Sequence, residues 1–415
     1  LIIKNIVVNI YVMFSSPFVS PFASPFAPAY GVPQASVAPK QDLPLPPELS
    51  LTRSLNYYAD YSGCGFWRMI WPEHLLNAHQ KMIVHGSTVM VLDPNYYRGV
   101  KTVRIQRQAT GHQLEFVKHL KRISQQMGFK IIYEIDDLVF SEDIPDYNKF
   151  KPAFTDPSIR KNCQEIMEMC DEVTVTCNFM RDYYKSKTKN QNVTVIPNYP
   201  PKWWMGNFYN EKKISDNYDA YEKRPRILYA GSGAHFDVDN RVNQNDDFAH
   251  VFDVIAKTVD KFQWVFLGAF PLRLTPFVRE GKIEFHPWSQ LYNYPEKIYN
   301  LKCNMMVAPL QDSTFNKAKS DLKYIEASCY GIPIACQDLC TYEDAPIKFK
   351  TGDEMVDQVV TTLSKKGKYM NTCAKARKVA ESRFLENEEN INKYYELYNF
   401  PYKSKERVNL NTVNP

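Results

Sequence analysis

Lys319, Ser320, Lys323 and Glu326 lie in one short run of the chain, FNKAKSDLKYIEASCYGIPI over 315–334. Residues three and four apart are neighbours on a helix, so Lys319, Lys323 and Glu326 fall on one face. Asn316 opens a polar loop that runs to Lys319. Ser320 then has the type of an N-cap, with Asp321 at the first helical position and Leu322, Ile325 and Ala327 as the apolar stripe. Gly331 and Pro333 end the helix before a short buried strand. A helix start that carries two lysines suits a multiply charged anion, because its free N–H groups and partial positive charge favour phosphate. One turn deeper, Glu326 is an acceptor-only carboxylate suited to a pair of sugar hydroxyls. The same spacing fits a solvated helix with an i,i+3 Lys–Glu pair equally well.

Further clusters carry reactive residue types. Gly231-Ser232-Gly233-Ala234-His235 is a glycine-rich loop directly after an apolar strand over 226–230. Its unhindered backbone can take a diphosphate, and His235 can donate to a phosphate or acceptor oxygen. Glu134, Asp136 and Asp137 close a buried strand over 130–135, and in open α/β sheets ligands bind beyond the carboxyl ends of strands. Gly63, Gly65 and Arg68 occupy a loop ahead of an apolar helix within 60–78, the place of the first strand-to-helix turn in a Rossmann-like half. Arg68 reads equally as an ordinary surface arginine.

Sheets must position these clusters, and the chain supplies two series of strands. Runs at 89–92 and 102–106, an amphipathic helix over 113–127, the strand at 130–135, a helix over 159–170 and strands at 172–176 and 192–198 make a first domain over 51–205. Residues 206–224 are rich in Lys, Asp, Asn and Tyr without periodicity and read as a linker. The alternation restarts with strands at 226–230, 262–268, 283–285 and 305–309 and helices over 247–259 and 294–301, giving a second domain over 225–375. Helices over 354–363 and 371–398 follow, with 376–402 assigned as a C-terminal helix and 403–415 as a polar tail. The class is α/β with parallel sheets, and 415 residues suffice for two cores.

Residues 1–50 differ. The apolar start LIIKNIVVNIYVMF is shorter than the roughly 20 residues a membrane span needs. A Pro/Phe-rich leader follows, with SPF at Ser16, Ser20 and Ser24, and is expected to be largely disordered. Met13 is a natural start, so the residues before it are expected to be upstream sequence; a signal peptide with Lys4 in its charged region is the other reading. No later segment reads as membrane-spanning. The net charge of +5 is small for this length and does not by itself call for nucleic acid. The nine cysteines show neither a C-x-x-C pair nor Cys/His ligand spacing, which argues against structural zinc and for a reduced, cytoplasmic compartment.

FNKAKSDLKYIEASCYGIPIA resembles the donor-site segment of GT-B glycosyltransferases, near the retaining family 4 group. YAGSGAHFDVD is similar to the first loop of their nucleotide domain, and the Gly63-x-Gly65 loop with Arg68 to their Gly-x-Gly-aromatic-aromatic-Arg loop. Over roughly 55–400 the resemblance implies the GT-B fold: two Rossmann-like parallel-sheet domains facing a cleft, with a C-terminal helix crossing back to the first. It implies that Gly231, Ser232, Gly233, Asn316, Lys319, Ser320 and Lys323 face the diphosphate of a nucleotide sugar, most simply a UDP-sugar. Glu326 would hold the ribose and Trp288 would neighbour the nucleobase, although Trp288 fits a core position equally. Gly63, Gly65, Arg68 and Asp137 would line the acceptor side. Many members carry a second glutamate eight residues before the ribose-binding one; that position is Ala318 here.

The implied reaction moves a sugar to an acceptor hydroxyl, with Lys323 and the helix start stabilising the departing diphosphate and His235 near the reacting oxygens. It needs no metal and no tightly bound cofactor. Retention lets a diphosphate oxygen help remove the acceptor proton; inversion would call on Asp136 as base. The Lys/Asn-rich composition is similar to bacteriophage members, which implies hydroxymethylcytosine in duplex DNA as acceptor, in the host cytoplasm, with transfer of glucose or arabinose. The cluster Lys118-Lys121-Arg122 fits a DNA contact or a solvated helix face alike. The competing readings are a polysaccharide or protein acceptor, a non-catalytic GT-B binding protein, and a metal-dependent GT-A enzyme using the D-x-D-like pair Glu134 and Asp136.

Overall fold

The computed structural model describes residues 53–79 and 82–399; the leader and tail expected over 1–50 and 403–415 lie outside the described residues. β-rich runs separated by amphipathic helices pair here in parallel, in two groups of six. The first sheet holds β1 (Arg53–Tyr57), β2 (Ile83–Ser87), β3 (Val100–Gln106), β4 (Lys130–Glu134), β5 (Glu172–Val175) and β6 (Val193–Val195), in the order β2-β1-β3-β4-β5-β6. The second holds β7 (Arg226–Gly231), β8 (Gln263–Gly268), β9 (Ile283–Pro287), β10 (Met305–Ala308), β11 (Ile334–Gln337) and β12 (Lys348–Phe349), in the order β12-β11-β10-β7-β8-β9. Strand order reverses between β1 and β3 and between β7 and β10, and such switch points open a crevice at the carboxyl ends of the strands.

Several elements differ from their sequence reading. The strand expected at 89–92 is a loop with Val89 and Leu92 exposed; β2 lies earlier, where Ile83–Ser87 pairs in register with Arg53–Tyr57. The stretch read as a linker over 206–224 is helical instead: Lys202–Phe208 runs into it from the first domain and Glu211–Ala220 lies within it, and the two bury Trp204, Ile214 and Tyr218. The helix expected over 247–259 contracts to Phe252–Lys257, because Asp246 holds the Phe248 N–H with its own carboxylate (2.9 Å) and keeps the preceding turn irregular. The last helix breaks into Lys366–Arg383 and Glu388–Leu397, with Phe384 and Leu385 buried at the break.

One apolar core joins the lobes. Trp67, Trp71 and Trp204 pack in it with Leu228, Met306 and Tyr330 of the second lobe and with Ile391, Tyr394 and Tyr398 of the final helix. That helix crosses back to the first sheet as expected: Tyr398 Oη donates to Asn56 Oδ1 (2.7 Å), and Thr102 Oγ1 donates to the Tyr398 carbonyl (3.1 Å).

Glu134, at the end of β4, is fully buried and takes Arg68 Nε (2.5 Å), Arg104 and Thr174 on its two oxygens. Burial alone would push its carboxyl up; the two guanidiniums outweigh that and hold it below the ordinary range. Glu134→Ala leaves two buried cations without a counter-ion and is expected to cost about 3–5 kcal/mol, read by urea unfolding. A loss under about 1 kcal/mol would show that the charges are solvated.

Candidate functional site

The crevice at β7 and β10 receives three segments: the glycine-rich loop after β7, the loop after β10, and the helix Leu322–Cys329. In the first, Ser232 Oγ accepts the Ala234 N–H (3.3 Å) and caps the turn Gly233–His235. In the second, Asn316 belongs to a one-turn helix, Thr314–Lys317, rather than to a polar loop, and is fully buried. Phe315 and Ala318 of this loop pack into the core of the first lobe. The helix starts one residue later than its sequence suggested, with Asp321 at the N-cap position. Ser320 is drawn away from capping because its Oγ accepts from Asn198 Nδ2 of the first lobe (3.0 Å). Asp321 pairs with Arg383 (3.2 Å).

Asp247 ties these segments together. It has no exposed surface, and its Oδ1 accepts from Tyr147 Oη (2.8 Å), Asn316 Nδ2 (2.6 Å) and the Gln311 N–H (2.9 Å). Its Oδ2 accepts from His235 Nδ1 (2.7 Å). Burial pushes this carboxyl up, and the donated bonds more than offset it, so Asp247 stays below the usual carboxylate range. Burial, with Lys323 and Lys319 nearby, pushes His235 down to about 4 against the pull of Asp247. The imidazole is therefore neutral near pH 7, with its proton on Nδ1 and a lone pair on Nε2. His235 thus offers an acceptor, where its sequence setting suggested a donor.

Around this hub stand the charged groups. Lys323 Nζ rests over the Tyr229 ring (5.3 Å to the centroid) and Lys319 Nζ over the Phe315 ring (4.3 Å). Tyr229 also lies against Gly231, whose added Cβ would come within 2.5 Å of the Tyr229 hydroxyl, so Gly231 and Lys323 flank one side chain. Burial lowers Lys323 to about 8, aided by Lys319 and opposed by Glu326. Burial raises Glu326 to about 7 against Lys323 and Tyr294, whose hydroxyl donates to Glu326 Oε2 (3.1 Å). Trp288 is 60 % exposed, which decides against a core role; its ring lies 6.3 Å from that of Tyr294. Trp288 leans on Gly268 (φ 102°), where a Cβ would stand 2.9 Å from the indole and 2.4 Å from the Gly231 carbonyl. A flat exposed ring and a buried carboxylate are thus linked through one tyrosine.

The first-lobe residues divide. Asp137 lies opposite Lys319, with burial raising its carboxyl and Lys319 opposing. Asp136 sits 3.6 Å from Arg107, which also holds Asp60 (3.0 Å). Gly63 and Gly65 belong to the turn that Asp60 Oδ1 organises by accepting the Ser62 and Gly65 N–H groups (2.7 and 3.2 Å). Arg68 is neither a cleft-lining nor a surface residue: it is 1 % exposed, because buried Glu134 requires its charge. Arg68 acts from behind, donating to Asn198 Oδ1 (3.0 Å), and Asn198 in turn holds Ser320. Glu134 itself is enclosed by arginines and cannot share an ion with Asp136, and no cluster of three metal-ligating side chains occurs among the described residues. Asp247, Tyr147, Asn198 and Tyr294 were not found from sequence. Only the polar exit of the strand before Asn198 gave a hint.

No protein-family model matches the chain, and no curated protein matches its sequence. Solved structures do. HepE of Anabaena in complex with UDP superposes with a TM-score of 0.57 at 10 % identity, over 84 % of this chain and 99 % of that one. The same protein in complex with UDP-glucose gives 0.55 at 9 % identity, over 83 % and 99 %. The N-terminal domain of Candida albicans trehalose-6-phosphate phosphatase gives 0.50 at 10 % identity, over 74 % and 73 %.

Because His235 is held near 4, its ring should not titrate between about pH 5.5 and pH 8 in an NMR experiment, and a midpoint near the ordinary 6.5 would contradict the Asp247 arrangement. The unfolded chain binds the proton that the folded one refuses, so stability should fall as pH drops from about 6.5 to about 4. With two six-stranded parallel sheets about a crevice and a returning final helix, the chain has the GT-B fold.

Proposed function

We propose that the protein is a glycosyltransferase that binds a nucleoside-diphosphate sugar, most simply a UDP-sugar, at the ends of β7 and β10 and passes the sugar to a hydroxyl held by the first lobe. The observation that carries this reading is the pair Lys319 and Lys323, which lie on aromatic rings without an ion-pair partner among the described residues, beside the Gly231–Gly233 backbone and one turn from buried Glu326. The structures of HepE with UDP and UDP-glucose support the donor class.

In this reading Trp288 stacks the base, Glu326 accepts from the ribose hydroxyls, and Lys319, Lys323 and the free N–H groups at the start of Leu322–Cys329 receive the diphosphate. As the anomeric bond breaks, negative charge accumulates on the diphosphate, and fixed cations in a water-poor crevice stabilise it. The lysines supply this charge, so the reading assigns no metal ion. His235 Nε2 accepts from a sugar hydroxyl and orients the donor. With retention, the acceptor proton passes to a diphosphate oxygen as the new bond forms on the face the leaving group vacates. Asp136 would serve as base if the reaction inverts.

For the acceptor we put hydroxymethylcytosine in phage DNA to the test, with transfer in the host cytoplasm. Its support is the resemblance to bacteriophage members; the net charge of +5 adds little, and Lys118 pairs with Glu115 and Glu165 and Lys121 with Asp171, which leaves little of the basic cluster free. A polysaccharide or protein acceptor is the alternative. Among the described residues no helix is long and apolar enough to cross a membrane.

The deciding experiment incubates the protein with UDP-, GDP- and ADP-sugars and with hydroxymethylcytosine duplex or polysaccharide, read by mass spectrometry. Transfer or donor hydrolysis is expected; a folded protein inert with every donor is a binding protein and not an enzyme. Glu326→Ala should weaken nucleotide binding about 10- to 100-fold. Binding should be strongest between about pH 7, above which Glu326 is a carboxylate, and about pH 8, below which Lys323 is an ammonium. Constant affinity from about pH 6 to about pH 9 would remove both groups from the site.

A further inference from the structure

The segment after β4 reaches from the first lobe over the glycine-rich loop of the second. Tyr147 Oη donates to Asp247 Oδ1 (2.8 Å), and Arg241 of the second lobe donates to the Tyr147 carbonyl (3.4 Å). Two residues on, Lys149 is exposed, and a Cβ built on Gly233 would stand 3.3 Å from its Nζ. The ammonium therefore overhangs the bare backbone of the turn Gly233–His235. It lies over the Phe150 ring (5.0 Å to the centroid) and forms no ion pair among the described residues. Lys319 and Lys323 are held in the same manner, over Phe315 and Tyr229, and both act electrostatically on His235 of that same turn. Three ammonium groups from two lobes thus surround one turn, and none of them forms an ion pair among the described residues. A cation on a ring face is held less strongly than one bonded to a phosphate oxygen, so each can leave its ring for an arriving phosphate.

We propose that Lys149 is a phosphate-binding residue of the donor site, contributed by the first lobe. It completes a three-lysine cradle for a nucleoside diphosphate only while Tyr147 holds the lobes together. This rests on the reading of the crevice as a nucleotide-sugar site and adds that the site is incomplete within the second lobe. The third cation is thus available to a diphosphate only because the first lobe is already docked on the second.

Calorimetric titration of UDP, GDP and ADP into the wild-type chain, Lys149→Ala and Lys149→Arg tests both levels. The expected result is wild-type binding of at least one diphosphate, affinity about tenfold lower in Lys149→Ala, and recovery of most of it in Lys149→Arg. The melting temperature of the free protein should not change in either variant, because the side chain is exposed; a lowered one would mark Lys149 as structural and overturn the assignment. If the wild type binds a diphosphate and Lys149→Ala binds it equally well, the role of Lys149 is overturned and the donor site stands. If the wild type binds none of the three, the donor site falls and Lys149 with it.

Discussion

A carboxylate cut off from water must find all its hydrogen-bond donors in the protein, and Asp247 finds four of them in three different segments of the chain. Tyr147 comes from the first lobe, His235 from the loop after β7, and Gln311 and Asn316 from the loop after β10. Satisfying this one charge fixes the approach of the lobes, the path of the loop after β10 and the tautomer of the histidine together. Loss of any one donor would leave part of a buried charge uncompensated, a defect far larger than the bond itself.

Glu134 applies the same constraint from the other side. Its need for a cation buries Arg68, Arg68 orients Asn198, and Asn198 holds Ser320. The loop after β10 is thereby pinned at Asn316 by the carboxylate of one lobe and, through Asn198, at Ser320 by that of the other. Lys319 lies between the two pins, so the backbone from which its flexible side chain projects is fixed. Each lobe contributes a buried charge whose solvation demands place the same four or five residues of loop. A binding group mounted on such doubly supported backbone loses less conformational freedom on meeting its ligand.

The alternation of strand and helix was legible because most strands are continuous apolar runs, as in Ile131–Ile132–Tyr133 or Met305–Met306–Val307. β1 was not, since Arg53, Ser54 and Asn56 break any apolar pattern, and their burial depends on partners far along the chain, such as Tyr398 for Asn56. The spacing of Lys319, Lys323 and Glu326 was legible for the same reason that helix faces are: it is local. The N-cap was misplaced by one residue because Ser320 serves a tertiary bond instead. The buried ion pair of Arg68 and the hub at Asp247 could not be read, since Glu134 and Tyr147 lie 66 and 100 residues away from them. Trp288 shows the limit of residue type alone, because only its exposure separates a platform from a core.

On the proposed reading, the electrostatics of the crevice suit its ligand. Burial has moved the lysine and the glutamate of the helix Leu322–Cys329 toward neutrality, Lys323 down to about 8 and Glu326 up to about 7. Each is held near the pH at which a small change in surroundings decides its charge. An anion beside Lys323 restores the ammonium, and hydroxyl donors to Glu326 favour the carboxylate. A nucleoside diphosphate brings both in one molecule, an anion for the lysine and a pair of hydroxyls one helical turn away for the glutamate. An inorganic anion would satisfy the first and leave the second unserved; a neutral sugar would do the reverse. On that reading the helix takes a ligand with negative charge at one end and adjacent hydroxyls at the other, and its spacing of three residues sets the distance between them.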